Sequence, residues 1–238
     1  MKITFTLFCF LFITGCAGVP INEDLDAHRF SGDPEKLNRA VYKFNDRIDK
    51  AFLRPIAQGY VTIVPSLARA GIRNVFNNLL EINSLINNIL QGDINGAGSN
   101  LARFMANSTV GILGLFDVAG KISVDPNVED FGQTMAVWGI PPGPHIVLPF
   151  FGSSSLRDAL GLIPYYTYTQ PQAQFSNFNT RVATTGLYRI SQRSDFLGAS
   201  AILDGQLDPY SFTRAAYEQA RINAVFDDSP PEEELDGF

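Results

Sequence analysis

Apolar residues recur at helical spacing near the start of this 238-residue chain. The Asp-Pro pair at 33–34 supplies a capping carboxylate and a proline suited to the first helical position, so a helix should begin there. We expect the Arg54-Pro55 pair to end it, because the residue before a proline avoids the helical region. One face of this predicted helix carries Leu37, Val41, Phe44, Ile48 and Phe52.

The same spacing predicts further helices along the chain. A second pair, Asp208-Pro209, opens a segment whose helical pattern runs from Tyr210 to Val225. Three more helical segments lie between the two pairs: Pro65 to Arg73, Asn74 to Gln91 and Ala97 to Thr109. Alternating, strand-like runs are scarce. The sequence therefore predicts a mainly α fold.

The segment from Asn74 to Gln91 mixes apolar residues with asparagines. Six of its residues are Asn, and Glu81 is its one charged residue. Asn is a poor helix former, so helix propensity does not explain this polar face. Two interpretations stay open: a buried helix whose amides bond to loops, or a helix in a partly apolar setting, where a charge would cost several kcal/mol.

A second unusual segment lies between Phe131 and Thr180, where Arg157 and Asp158 are the only formal charges. Its many Gly and Pro residues exclude a spanning helix, because freed backbone groups find no partner in hydrocarbon. One interpretation is a buried loop structured by Pro and Gly. The other is a surface that lies within a lipid leaflet, with its aromatic residues at the level of the headgroups. The N-terminal lipid anchor that the sequence also predicts favours this second interpretation.

The N-terminus has the pattern of a signal peptide over residues 1–15. Lys2 precedes an apolar stretch, Ile3 to Ile13, that is too short for a membrane-spanning helix. The sequence Ile13-Thr14-Gly15-Cys16 resembles the lipobox of bacterial lipoproteins. This resemblance implies that Cys16 becomes the first mature residue and carries an N-acyl diacylglycerol. Ala17, in place of Asp, favours the outer membrane by resemblance to lipoprotein sorting rules.

Composition excludes several kinds of site. Cys9 leaves with the signal peptide and Cys16 is consumed by lipid, so no thiol should remain. His28 and His145 are the only histidines, which supply a zinc or histidine-based site poorly, and we expect no metal and no other cofactor. Residues 227–238 hold six acids and no base, the pattern of a solvated disordered tail. Without that tail and Lys2, 17 bases face 18 acids, so nucleic acid is not an expected partner.

Candidate enzyme residues are few, and we expect no catalytic residue. The Gly152-to-Ser155 run lacks the G-x-S-x-G elbow of serine hydrolases. Ser155 and Asp158 look instead like a capping box that opens a short helix. Glu129 and Asp130 are expected to be structural carboxylates, and the role of Asp117 stays open.

Taken together, the residues resemble the MlaA (VacJ) family of outer-membrane lipoproteins. The resemblance covers roughly Asp33 to Arg221, with one departure at His145, where a Tyr is more usual. It rests on Asp33-Pro34-Glu35, Asn38-Arg39, Phe44-Asn45, Arg54-Pro55, Leu90-Gln91-Gly92, Arg103-Phe104, Asn107, Gly114, Phe116-Asp117-Val118-Ala119, Phe131-Gly132-Gln133-Thr134, Gly143-Pro144, Leu148-Pro149, Arg157-Asp158 and Asp208-Pro209-Tyr210.

The family resemblance implies a ring-like helical bundle in the inner leaflet of the outer membrane, around an amphipathic channel. Members of this family take mislocalised phospholipids from the outer leaflet, pass them to a soluble periplasmic carrier of the MlaC type, and associate with trimeric porins. The expected location is therefore the periplasmic face of the outer membrane. The alternative is a structural lipoprotein that scaffolds porins without moving lipid.

Residue roles follow from the same resemblance. Phe44 and Asn45 lie in a helix that helps to set the open or closed state of the channel. Gly111, Gly114 and Gly120 are candidates for the channel wall, because glycine allows tight bends and close backbone approach. The expected organisation is a signal peptide over 1–15, an anchor and linker over 16–32, a helical domain over 33–226 and an acidic tail over 227–238.

Overall fold

The computed structural model describes residues 32–230, and it is mainly α-helical, as predicted. The predicted signal peptide over 1–15, Cys16 and most of the predicted acidic tail lie outside these residues. The helices are α1 (Glu35–Ile48), α2 (Arg54–Ile63), α3 (Ser66–Gln91), α4 (Ile94–Thr109), α5 (Val118–Lys121), α6 (Phe131–Val137), α7 (Leu156–Pro164), α8 (Phe178–Asp195), α9 (Leu197–Asp204) and α10 (Pro209–Val225).

Two π-helical turns and a 3₁₀ turn interrupt this series. The first π-turn is Asp49–Leu53, the second is Tyr165–Thr169, and the 3₁₀ turn is Pro171–Gln174. The prediction that Arg54-Pro55 ends the first helix is wrong. The chain passes through the first π-turn directly into α2, with Pro55 in its first turn, where a missing N–H costs little.

Two other helix predictions need correction. The segments Pro65 to Arg73 and Asn74 to Gln91 form one continuous helix, α3. It ends at Gly92, whose φ of +83° is the left-handed conformation that glycine adopts at helix ends. Asp33 does not cap α1 with its side chain, whereas Asp208 caps α10 by accepting from the N–H of Ser211.

The charge-poor segment contains the two strands of the described chain. β1 (His145–Leu148) and β2 (Gly152–Ser155) form an antiparallel hairpin in which His145 pairs with Ser155. Both strands are only four residues long, and neither HIVL nor GSSS alternates polar and apolar residues, so the sequence pattern did not reveal them. At the hairpin turn Phe150 adopts a φ of +66°.

The larger elements contact one another in a closed circuit. α3 packs on α8, α8 on α2, and α2 continues through the first π-turn to α1. α1 packs on β1, β1 on α7, α7 on α6, and α6 on α3 again, which makes a ring-like bundle. α10 packs on α6 and β2, and α4 packs on α3. No helix among the described residues is long and apolar enough to cross a membrane.

Candidate functional site

The interior of the described chain is unusually polar. Only nine apolar side chains are buried, and four of these are alanines, whereas twenty-one polar or charged side chains are buried. Soluble domains show the opposite distribution, because burial of apolar surface drives their folding. The polar interior is therefore the feature that a functional account must explain.

The asparagines of α3 form part of this interior. Asn83 donates to the backbone oxygen of Glu129 at 2.9 Å, and Asn88 donates to the side chain of Asn100 at 2.7 Å. Asn78 donates to the hydroxyl of Ser108 at 2.8 Å. The interpretation of a buried helix is confirmed for these residues, but of these three hydrogen bonds only that of Asn83 goes to a loop, whereas those of Asn78 and Asn88 go to side chains of α4. They join α3 to α4 and to the segment before α6.

A buried ion pair lies at the centre of the amide network. The guanidinium of Arg103 donates to Glu81 at 2.6 Å and to the backbone oxygen of Val124 at 2.5 Å. The second carboxylate oxygen of Glu81 accepts from Asn100 at 2.7 Å. Arg103 and Glu81 are 5% and 6% exposed, and Arg103 also lies 3.4 Å from Asp117, so the Glu81 carboxylate depends on Arg103 for its compensation.

The apolar side chains of α3 point the other way. Ile82, Ile86 and Ile89 are exposed to 38%, 39% and 57%, although they lie on the same helix as the buried asparagines. Large apolar side chains are also exposed on other elements of the ring, for example Leu37 on α1, Leu67 on α3, Ile163 on α7 and Phe178 on α8. An apolar surface of this extent indicates contact with lipid or with partner proteins.

The predicted gating residues Phe44 and Asn45 contact the hairpin turn. Asn45 donates to the backbone oxygen of Leu148 at 2.9 Å and accepts from the N–H of Phe150 at 2.8 Å. The ring of Phe44 packs edge-on against that of Phe150, with centroids 5.4 Å apart. Phe44 and Asn45 thus fix the turn of the hairpin to α1.

Asn38, two helical turns before Asn45, binds the same strand. It donates to the backbone oxygen of His145 at 2.9 Å and accepts from the N–H of Val147 at 2.8 Å. Asn38 and Asn45 together satisfy the free edge of β1 in place of a third strand. Asn38 is one of the residues that carry the family resemblance, but no role for it was predicted. A spacing of seven residues between two asparagines on one helix face is the signal that could have revealed it.

The three candidate wall glycines lie in or beside one tight segment after α4. A Cβ at Gly111 would clash with the backbone oxygens of Phe116 and Asn107. Gly114 has a φ of +87°, and a Cβ there would lie 2.7 Å from the Cβ of Asn78. A Cβ at Gly120 would lie 2.5 Å from the capping carboxylate of Asp117. These positions require glycine for close packing, and their role in a channel wall stays a prediction.

Asp117 has a structural role, which settles a question that the sequence left open. Its carboxylate caps α5 by accepting from the N–H of Gly120 at 3.0 Å, and it also accepts from Asn107 at 3.0 Å. Burial alone would raise the pKa of Asp117, but these hydrogen bonds and the charge of Arg103 hold it below its usual value. Asp117 thus fixes the glycine segment to α4.

Glu129 and Asp130 are structural carboxylates, as predicted. Glu129 is buried and accepts from Gln91 and Gln133, each at 2.6 Å. Burial raises the pKa of Glu129 to about 7 despite the hydrogen bond from Gln91. Asp130 caps α6 and forms a bidentate pair with Arg221, with both distances 2.7 Å.

Charged side chains attach α10 to the ring through ion pairs. Arg221 also donates to Asp158 at 2.9 Å, and Arg214 donates to Asp33 at 2.6 Å. Burial would raise the pKa of Asp158, but the charges of Arg221 and Arg157 hold it below its usual value. The last helix is therefore attached through ion pairs more than through an apolar core.

The hydroxyl groups of two serines in the hairpin form hydrogen bonds with the backbone. Ser155 is fully buried and accepts from the N–H of Asp158 at 3.0 Å, so the predicted cap of α7 is confirmed. Ser154 donates to the backbone oxygen of Ser155 at 3.1 Å. In the part of the chain that the structure describes, no cluster of His, Cys, Asp or Glu is arranged to hold a metal ion.

Comparison with known proteins decides the family. The family model described as MlaA lipoprotein matches residues 32–224. The chain belongs to the MlaA lipoprotein family. An uncharacterized protein of Rickettsia bellii (strain RML369-C) is 34% identical over 81% of the chain and 76% of its own length.

Two further MlaA relatives carry functional descriptions. The intermembrane phospholipid transport system lipoprotein MlaA of Escherichia coli (strain K12) is 32% identical over 87% of the chain and 82% of its own length. A solved structure described as "Structural basis for maintenance of bacterial outer membrane lipid asymmetry" superposes with a TM-score of 0.69. The solved protein is 33% identical to this chain, and the match covers 83% of this chain and 99% of the solved one. The MlaA resemblance inferred from the sequence is thus confirmed.

Proposed function

We propose that this chain is the outer-membrane lipoprotein of an intermembrane phospholipid transport system. In this role it removes mislocalised phospholipids from the outer leaflet and so maintains lipid asymmetry. The observation that carries the proposal is the inverted distribution of polarity, with buried amides and charges inside an apolar exterior. The description of the Escherichia coli relative supports it.

The exterior suits a protein that lies within one leaflet. Lipid tails solvate Leu67 and Ile163, which are 76% and 62% exposed, without the cost that water would impose. The acyl chains on Cys16 would hold the ring at that depth, since two or more chains give stable anchoring. We propose a location on the periplasmic face of the outer membrane.

The interior suits the passage of a lipid headgroup. Buried amides such as Asn78 and Asn87 are bonded within the protein, so they hold the ring together without placing a charge beside the passage. We propose that an amphipathic channel passes through the ring, with Gly111, Gly114 and Gly120 in its wall. The chain would act as a passage and not as an enzyme, because Ser154 and Ser155 are occupied in backbone hydrogen bonds.

Phe44 and Asn45 are proposed to set the state of this channel. Deletion of both would turn the following part of α1 by about 200°, at about 100° per residue. The contacts of Asn45 with Leu148 and Phe150 would then be lost, and the hairpin turn would be released. We expect uncontrolled lipid flow in that deletion, and normal lipid asymmetry would contradict this role.

The proposed partners are phospholipids, a soluble periplasmic carrier of the MlaC type and a trimeric outer-membrane porin. A purely structural lipoprotein that scaffolds porins has no need for a polar interior, so the distribution of polarity favours transport. Loss of porin binding with normal lipid asymmetry would instead support the scaffold.

The test is the amount of outer-leaflet phospholipid in cells that lack this protein, read with a surface acyl-transfer reporter. We expect a rise that wild type reverses and that Cys16→Ala does not. No rise would contradict the proposed function. Reversal by Cys16→Ala as well would contradict the anchored location and leave the transport role in place.

A further inference from the structure

Arg189 on α8 differs from most arginines of the described chain in having no acidic partner. Eight others form ion pairs: Arg39, Arg54, Arg73, Arg103, Arg157, Arg193, Arg214 and Arg221. Within residues 32–230 no carboxylate lies within ion-pair distance of Arg189. Arg47 and Arg181 also lack such a partner but are exposed, and Arg69 donates to the backbone oxygen of Val64.

The surroundings of Arg189 are aromatic. Its guanidinium donates to the hydroxyl of Tyr166 at 2.7 Å, and its central carbon lies 5.4 Å from the ring centroid of Phe151. The rings of Phe151 and Tyr166 pack edge-on with centroids 5.6 Å apart. Arg189, Tyr166 and Phe151 form one cluster, which we call the Arg189 cluster.

The Arg189 cluster joins three elements. Arg189 lies on α8, Tyr166 in the second π-turn and Phe151 at the hairpin turn. The hairpin and α8 are not adjacent in the circuit of the ring, and these side chains bring them into contact. π-turns inside helices are often found at functional sites, since they displace side chains from regular helical positions.

The contrast with Arg193 indicates a ligand. Arg193 lies one turn further on the same face of α8 and binds Asp49 of the first π-turn with two hydrogen bonds, at 2.6 and 2.9 Å. That pair completes a structural attachment. Arg189 contacts the second π-turn in the same way, but its partner there is the neutral phenol of Tyr166. Its positive charge therefore remains uncompensated by a carboxylate within the described chain.

The donors of the cluster are available to an anion. A guanidinium has five N–H donors in a planar fork, and only one hydrogen bond is formed here. None of its nitrogens is both buried and without a partner, so the remaining donors reach the surface. The Tyr166 oxygen accepts from Arg189, which leaves its own hydrogen able to donate.

We propose that the Arg189 cluster is an anion subsite that binds the phosphodiester of a phospholipid headgroup during its passage. This inference rests on the proposed function. Two N–H groups of Arg189 would hold two phosphate oxygens, the geometry for which arginine is suited. The Tyr166 hydroxyl would donate to one of them. The partly exposed ring of Phe151 would contact the glycerol and the start of the acyl chains.

The test is a binding titration with the purified full-length lipoprotein in dodecyl maltoside. The probes are dihexanoylphosphatidylglycerol, inorganic phosphate and dihexanoylglycerol, which lacks phosphate. We expect the phospholipid to bind at least tenfold more tightly than either of the others. Arg189→Gln should weaken phospholipid binding by about tenfold or more, the effect of a lost charge-assisted hydrogen bond.

Two variants control for charge and for folding. Arg181→Gln removes an exposed positive charge from the same helix and should leave binding unchanged. Arg189→Lys keeps the charge but not the planar fork, so its affinity should lie between wild type and Arg189→Gln. If Arg189→Gln does not fold, as judged by circular dichroism, the lysine variant and Tyr166→Phe carry the test.

Three results would overturn the subsite: equal phospholipid affinity in wild type and Arg189→Gln, equal loss in Arg181→Gln, or inorganic phosphate bound as tightly as phospholipid. The last would indicate a free-phosphate site. These outcomes are separable from failure of the proposed function. Cells that lack the protein would then still accumulate outer-leaflet phospholipid, and only the binding step would need another residue.

Discussion

The carboxamide of Asn45 on α1 donates to the backbone oxygen of Leu148 at 2.9 Å, where β1 leaves the ring for the hairpin turn. The same carboxamide accepts from the N–H of Phe150. One side chain thus replaces two backbone hydrogen bonds that a further strand would have supplied. The position of the hairpin turn relative to α1 depends on this contact and on the packing of Phe44 against Phe150.

Asn45→Ala should release the hairpin turn. Both hydrogen bonds would be lost, at a cost of about 1–3 kcal/mol for groups left without partners. Hydrogen exchange of the Phe150 amide should become faster, whereas exchange within α3 should not change. Lys43→Ala, an exposed position on the same helix, is the matched control. Unchanged protection of the Phe150 amide would show that Asn45 does not hold the turn.

The buried pair of Arg103 and Glu81 should be essential for folding. Arg103→Met would leave the Glu81 carboxylate buried without its cation, which costs about 3–5 kcal/mol in comparable cases. The exposed pair of Arg73 and Asp195 provides the control, since Arg73→Met should change stability by less than about 1 kcal/mol. Thermal or denaturant unfolding in detergent measures both. Equal effects of the two variants would contradict the importance of the polar interior.

The positions of α1, α3, α4 and α10 could be predicted from the sequence, whereas α2, α6, α8 and α9 were not predicted. Helical spacing and Asp-Pro pairs are local signals, and α10 indeed begins at Pro209 with Asp208 as its cap. The sequence could not show that the helical path continues through Arg54-Pro55, because this depends on a π-turn that makes room for the proline. The hairpin was missed because four-residue strands carry little periodicity.

The sequence could not show whether a given face of a helix meets a core or lipid. Spacing shows that Ile82, Ile86 and Ile89 share one side of α3, but it does not show whether that side meets a core or lipid. The excess of asparagine and the lack of charge were the available signals, and they left two interpretations. The Arg189 cluster could not be predicted either, because it joins residues from three elements that only the folded ring brings together.

Glycine at position 114 should be required for the close approach of the glycine segment to α3. Gly114→Ala adds a Cβ 2.7 Å from that of Asn78 at a φ of +87°, so we expect a loss of about 1–3 kcal/mol. Gly98→Ala, in the exposed interior of α4 with open space around it, should be neutral or stabilising by up to about 1 kcal/mol. The two unfolding midpoints should therefore move in different directions. A Gly114→Ala protein as stable as wild type would contradict the packing.

Glu129 should make stability depend on pH. Because burial raises its pKa in the folded state from 4.5 to about 7, its contribution is complete below pH 4.5 and is lost as the pH rises towards 7. Glu129→Gln keeps a neutral acceptor for Gln91 and Gln133 at every pH. The stability of this variant relative to wild type should therefore increase by up to about 3 kcal/mol between pH 4 and pH 8. A difference that is constant over this range would show that Glu129 is not held in its neutral form.

The removal of phospholipids from the outer leaflet through this protein can be followed directly. Outer-leaflet phosphatidylethanolamine is labelled in living cells with an amine reagent that does not cross membranes, and labelled lipid is then measured in the separated inner membrane over time. Labelled lipid should reach the inner membrane in cells that contain the protein and should remain in the outer membrane in cells that lack it. The same time course in both kinds of cell would show that phospholipids do not leave the outer leaflet through this protein.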